Sequence, residues 1–226
     1  MALCDLSGKR ILLTQANAFM GPSLQSMLQA CGAEVIADNR DFLDPRAPGQ
    51  LIKEAGEIDV LLLNLGIPAP STPASEVEDD EWGLLFRHMV DPLPRFARAL
   101  LPGMIERQRG KILLMGSASA LRGMKRASSY SAARGAQLAW VQAVGAEMAN
   151  KGIQVNAIAQ NFVDNPTYFP TDIQANPAFQ ARLQREVPLG RLVSAEEDAS
   201  FAAYLCSDAA NCFVGQIFPV CGGWSH

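Results

Sequence analysis

Apolar residues along this chain fall into short unbroken runs that alternate with stretches of helical period, and that alternation sets the expected architecture. Arg10-Ile-Leu-Leu-Thr14 suits a buried strand, and Leu24, Met27, Leu28 and Cys31 after Gly21-Pro22 have helical spacing that stops at Gly32. Glu34 to Ala37 reads as a second strand, Gln50 to Ala55 as a short helix, and Asp59 to Leu63 as a third strand. Beyond the proline-rich loop that begins at Gly66, a helical region is expected from about Glu76 to Ile105, adjusted at Pro92 and Pro94. A strand at Lys111 to Met115, a helix at Ser129 to Asn150 and a strand at Gln154 to Ile158 continue the alternation.

Between Gln160 and Leu189 the pattern loosens into a loop and a helix near Pro177 to Glu186. Ligands of open α/β sheets bind past the carboxyl ends of strands, so this insertion is expected to wall a pocket. Ser194-Ala-Glu-Glu197 is a capping box opening a helix to Cys206, and Gln216 to Val220 is a last strand. The expectation is one α/β domain over residues 1–226: a doubly wound, Rossmann-like fold whose mostly parallel sheet is flanked by helices on both faces.

Composition narrows the partners. With 49% hydrophobic and 19% charged residues, a net charge of -4 and no Lys/Arg block, the chain is not built for nucleic acid or an anionic membrane, which leaves small molecules. No apolar run approaches the roughly 18 to 20 residues that cross a bilayer. No basic export-type leader precedes the first strand, so a cytoplasmic location is expected. Cys4, Cys31, Cys206, Cys212 and Cys221 form no C-x-x-C pair, which suits free thiols, with Cys31 and Cys206 expected in the core. His88 and His226 are the only imidazoles and no carboxylate cluster has ligand spacing, so no metal is expected.

The first turn carries the sharpest chemical information. A dinucleotide-binding turn needs glycines for its tight bend, for backbone approach to the pyrophosphate and for close helix packing. Here Thr14-Gln-Ala-Asn-Ala-Phe-Met-Gly21 keeps only the last glycine, with Gln15 and Phe19 at the other two positions. A phenylalanine where backbone must touch phosphate implies that no nucleotide cofactor binds. Asp38, at the end of the second strand, stands where an acid would hold an adenosine ribose, and is read here as solvated turn chemistry.

Ser117, Tyr130 and Arg134 are the candidate catalytic residues. Residues four apart share a helix face, so Arg134 reaches the Tyr130 phenol and favours its anion, a pairing suited to proton abstraction. The competing possibility is chance spacing on an Ala/Ser-rich helix.

Over nearly its whole length the chain resembles the short-chain dehydrogenase/reductase family. The resemblance rests on the opening strand-turn-helix, Asp59-Val-Leu-Leu-Leu-Asn-Leu-Gly66, the Ser117 to Tyr130 spacing, Val187-Pro-Leu-Gly-Arg-Leu192 and Gly222-Gly-Trp224. The family's Tyr-x-x-x-Lys is Tyr130-x-x-x-Arg134 here, and no Asn lies between Trp82 and Pro102, where the family places a fourth catalytic residue. Thr14, Phe19 and Gly21, together with the Ser-Tyr-Arg set, resemble the halohydrin dehalogenases, a branch that works without a nicotinamide cofactor. Glu34 to Asp38, Ile158-Ala-Gln160 and Tyr168-Phe169 place the chain nearest the B type of that branch.

The resemblance implies a cofactor-independent conversion of vicinal haloalcohols to epoxides plus halide, with epoxide opening by small anions in reverse. It implies a halide site formed by Phe19, Gln160, Asn161, Phe162, Val163 and Phe169, with backbone N–H donors near Phe162 and Val163. It also implies a homotetramer. The alternatives are a divergent NAD(P)-dependent oxidoreductase and an inactive binding paralogue.

Overall fold

The computed structural model describes residues 4–225, so His226 lies outside the described residues. Six strands form, each around one of the apolar runs: β1 (Arg10–Thr14), β2 (Glu34–Asp38), β3 (Val60–Leu63), β4 (Gly110–Ser117), β5 (Ile153–Gln160) and β6 (Ile217–Val220). Among the described residues nine α-helices alternate with them: α1 (Gly21–Ala30), α2 (Ala47–Ala55), α3 (Asp79–Met89), α4 (Pro92–Glu106), α5 (Ser119–Arg122), α6 (Ser128–Met148), α7 (Thr171–Ala175), α8 (Pro177–Glu186) and α9 (Ala195–Cys206).

The strands lie in the order β2-β1-β3-β4-β5-β6 and every neighbouring pair is parallel. Parallel pairing requires crossovers, so helices cover both faces and the central strands are apolar on both sides. Ile112 and Leu114 of β4 pack with Phe96 and Leu100 of α4 and Val141 of α6. Leu113 and Met115 face the other way, with Leu24 of α1 and Ala202 of α9. The chain leaves β1 toward β2 and returns across it to β3, which puts a crevice between the carboxyl ends of β1 and β3.

The long helix expected over 76–105 is two helices. Val90 and Asp91 turn the chain between α3 and α4, where Pro92 occupies the first helical position and its missing N–H is harmless. The capping box at Ser194 is present in both directions, with Glu197 N–H donating to Ser194 Oγ at 3.0 Å and Ser194 N–H donating to Glu197 at 2.8 Å. Cys206 is fully buried, whereas Cys31 is only half-buried at the end of α1. Asp38 is not solvated: it is buried and holds Arg40 at 2.7 Å, because that arginine folds back over the end of β2. Among the described residues no helix is long and apolar enough to cross a membrane, and no cluster of His, Cys, Asp and Glu could hold a metal ion.

Candidate active site

The last residue of β4 is Ser117, and α6 returns along the sheet to set Tyr130 and Arg134 one turn apart beside it. Glu81 of α3 anchors the start of α6 by accepting the hydroxyls of Ser129 and Thr72, an anion placed where a helix favours one. Tyr130 and Arg134 lie on the buried face of α6, with 5% and 6% of their surfaces exposed. An arginine so deep must spend its donors on the protein. Arg134 Nε donates to Tyr130 Oη at 3.0 Å, while Nη1 donates to Leu65 O (3.0 Å), Met115 O (3.1 Å) and Gln137 Oε1 (2.9 Å). Gln137 is fixed in turn by donating to Met89 O at 2.8 Å.

Burial alone would raise the Tyr130 pKa. The Arg134 charge, with hydrogen bonds from Tyr168, Arg134 and Ser117, outweighs it and leaves the phenol more acidic than an ordinary tyrosine. Tyr168 is its counterpart: burial and the neighbouring Tyr130 push its pKa up, so it keeps its proton. Because Tyr168 Oη already accepts the Ala69 N–H at 3.1 Å, that proton is available to Tyr130. Ser117 Oγ accepts the Ser119 N–H at 3.2 Å and lies 2.9 Å from Ser119 Oγ.

These groups open onto a cavity of about 260 Å³. All three candidate catalytic residues line it. So do Phe19, Gln160, Asn161, Phe162, Val163 and Phe169, the residues expected to hold an anion. Phe162 is 2% exposed and stacks on Phe169 at 6.1 Å, so both rings wall the cavity and also anchor the loop. One expected donor is spent: the Phe162 N–H bonds Asn161 Oδ1 at 2.9 Å, because the asparagine side chain folds back on its own loop. Among the described residues the Val163 N–H, the other expected donor, has no acceptor.

The crevice between β1 and β3 is filled by protein. Gln15, at φ 46°, forms a two-bond clasp with Gly66, donating Nε2 to its carbonyl at 3.1 Å and accepting its N–H at 2.9 Å. Asn64 Nδ2 donates to Gln15 O and Ala18 O, which ties the first turn to the end of β3. Phe19, at φ 52°, lays its ring 5.8 Å from that of Tyr168. A dinucleotide needs open backbone at this turn, and here Phe19 and the Gln15–Gly66 clasp occupy it. The residues present do not fit one.

Tyr168, Gln15, Asn64 and Gln137 complete the site; sequence marked Gln15 only as a lost glycine position and Tyr168 and Asn64 only as parts of the resemblance, and it did not single out Gln137. The position of Tyr168, in the loop just past the carboxyl end of β5, was the available signal. The others act through contacts distant in sequence.

The family described as enoyl-(acyl carrier protein) reductase matches residues 3–225. A 3-oxoacyl-[acyl-carrier-protein] reductase of Salmonella typhimurium is 29% identical over 97% of this chain and 98% of its own. A solved structure described as a dehalogenation enzyme is 30% identical, covers 98% of this chain and 100% of its own, and superposes with a TM-score of 0.90. A halohydrin dehalogenase bound to ethyl (2S)-oxiran-2-ylacetate shares the fold at a TM-score of 0.88, with 23% identity over 96% and 97% of the two chains.

Proposed function

The chain belongs to the short-chain dehydrogenase/reductase superfamily, through the family described as enoyl-(acyl carrier protein) reductase, and from that premise we propose that it is a cofactor-independent halohydrin dehalogenase. One observation carries the reading: the acidified Tyr130 opens onto a pocket whose nucleotide turn is occupied by Phe19 and the Gln15–Gly66 clasp. Similarity to the dehalogenation enzyme supports it.

In the proposed reaction the Tyr130 phenolate takes the hydroxyl proton of a vicinal haloalcohol, and Ser117 hydrogen-bonds the same oxygen. The freed oxygen pair closes an O–C bond as the carbon–halogen bond breaks, and its electrons leave with the halide. Epoxide, halide and a proton are the products. Arg134 stays charged throughout and need not reach a ribose. Phe19, Phe162 and Phe169 supply apolar walls for the halide and Val163 an N–H, an arrangement preorganised for developing negative charge. In reverse, a small anion opens the epoxide. Exposed Trp82 and Leu84 on α3 supply apolar surface for the proposed homotetramer.

Halide release from 1,3-dichloro-2-propanol is the direct test. The wild type is expected to release chloride, and a folded Tyr130→Phe variant to release none. A second reading, a nicotinamide-dependent oxidoreductase, is favoured by the similarity to 3-oxoacyl-[acyl-carrier-protein] reductases. Micromolar NADPH binding without chloride release would establish that reading instead.

A further inference from the structure

Asp198, near the start of α9, has none of its surface exposed. One carboxyl oxygen accepts Gln160 Nε2 at 2.6 Å, and among the described residues the other has no partner and no cation pairs with the group. Helix α1, which packs on α9, carries no ionisable side chain, and neither do β5 and β6. The one ionisable residue of β4 is Lys111, at the opposite end of that strand, and Asp208 lies beyond the far end of α9. On its own helix Glu196 is exposed and Glu197 is bound by Arg191 at 2.8 Å. Asp164, in the loop after β5, accepts Gln174 at 2.7 Å. Burial, opposed only by the Gln160 bond, raises the Asp198 pKa to about 7.

Gln160 connects this acid to the pocket it lines. Its main chain is fixed, with its carbonyl accepting the Ala118 N–H at 2.8 Å, so its freedom is that of the side-chain amide. A primary amide has a donor end and an acceptor end. A carboxylate only accepts, so it draws the Gln160 NH₂ to itself and leaves the carbonyl for the cavity. A carboxylic acid has a proton to give; it is satisfied by the Gln160 carbonyl, which turns the NH₂ toward the cavity.

We infer that Asp198 is a positioning residue for the anion side of the pocket: acting through Gln160, it sets whether an occupant meets an amide N–H or an amide carbonyl. The inference rests on the dehalogenase reading for the identity of the occupant. Ionisation of Asp198 disfavours an anion twice, by turning the amide over and by placing a second negative charge behind it.

Bromide binding, followed by quenching of tryptophan fluorescence, is the test. Wild-type affinity is expected to weaken about tenfold between about pH 6 and pH 8.5, the change carried by one hydrogen bond to a charged group. Asp198→Asn keeps the shape and has no proton to lose, so over that range its affinity should change less than the wild type's, by only what the Tyr130 phenol in the same cavity contributes. Equal pH dependence in both proteins, or none in the wild type, overturns the inference. Absence of bromide binding at either pH overturns it together with the dehalogenase reading. Should Asp198→Asn not fold, the wild type still decides: the NMR signals of the Asp198 carboxyl and the Gln160 side-chain amide are expected to move together with pH. A Gln160 amide indifferent to that titration overturns the inference.

Discussion

Tyr168→Phe deletes one hydroxyl and keeps the ring that packs against Phe19 and Phe169. The Tyr130 phenolate then loses one of its three hydrogen-bonding neighbours and keeps Arg134 Nε, at 3.0 Å, and Ser117. A hydrogen bond to a charged group contributes about 1.5–3 kcal/mol. Its loss raises the Tyr130 pKa, because the phenolate is the form that bond stabilises. Less phenolate is then present on the acidic side, so the acidic limb of kcat/KM for halide release moves upward. Well below the limb the rate falls about 10–100-fold; well above it the wild-type plateau returns. The Ala69 N–H is left without its acceptor, which costs about 1–3 kcal/mol of stability and is read separately by thermal unfolding. The measurement is a pH profile of initial halide release on both proteins. A uniform drop at every pH, with the limb unmoved, would mean that Tyr168 only fills space, and the argument for its proton would fail.

Other substitutions probe the remaining links. Arg134→Lys cannot serve Leu65 O, Met115 O, Gln137 Oε1 and Tyr130 at once, and is expected to lower stability by about 3 kcal/mol and to move the same limb upward; an unchanged unfolding curve would refute this. Asp198 holds its proton to about pH 7 when folded and gives it up near 3.8 when unfolded, so the folded state binds more protons between those values. Stability therefore falls as pH rises through that window and levels off above it. Asp198→Asn lacks this loss, of about 4 kcal/mol, and urea titrations of both proteins at several pH values should show the difference growing and then saturating. Phe96→Ala removes a fully buried ring whose centroid lies 4.9 Å from that of Phe42, and a loss of about 3–5 kcal/mol is expected in chemical denaturation.

What was legible in the sequence follows from how each feature is encoded. β1, β3 and β4 are written as local apolar runs, and Tyr130 and Arg134 share a helix face by spacing alone. The division of α3 from α4 was half legible: Pro92 marked an adjustment, but that Val90 and Asp91 break the helix in two was not written in those residues themselves. Tyr168 lies in an irregular loop, and its partners Ala69 and Tyr130 are brought to it only by the finished sheet. Asp198 reads locally as an acid complementing a helix N-terminus, and its burial depends on how α9 packs against α1 and β4. Asp38 misled in the opposite sense, since Arg40 two residues on was not recognised as its partner.

Gly66 has a wider bearing. A methyl group there would sit 2.7 Å from Arg134 Nη2 and 3.6 Å from the Phe19 ring, while the main chain of Gly66 makes both bonds of the Gln15 clasp. One residue thus touches the cation that acidifies Tyr130 and the ring that occupies the first turn. Exchanges toward the glycine-rich turn and the lysine of the reductase pattern would not act independently. Glycine at 15 frees both hydrogen-bonding groups of Gly66, glycine at 19 removes the wall beside Tyr168, and exchanging Arg134 strands its carbonyl partners. Such changes are coupled and their effects should not add. The backbone of one loop joins Gln15 and Phe19 to Arg134, far along the chain, so a single exchange at any of them disturbs the other two.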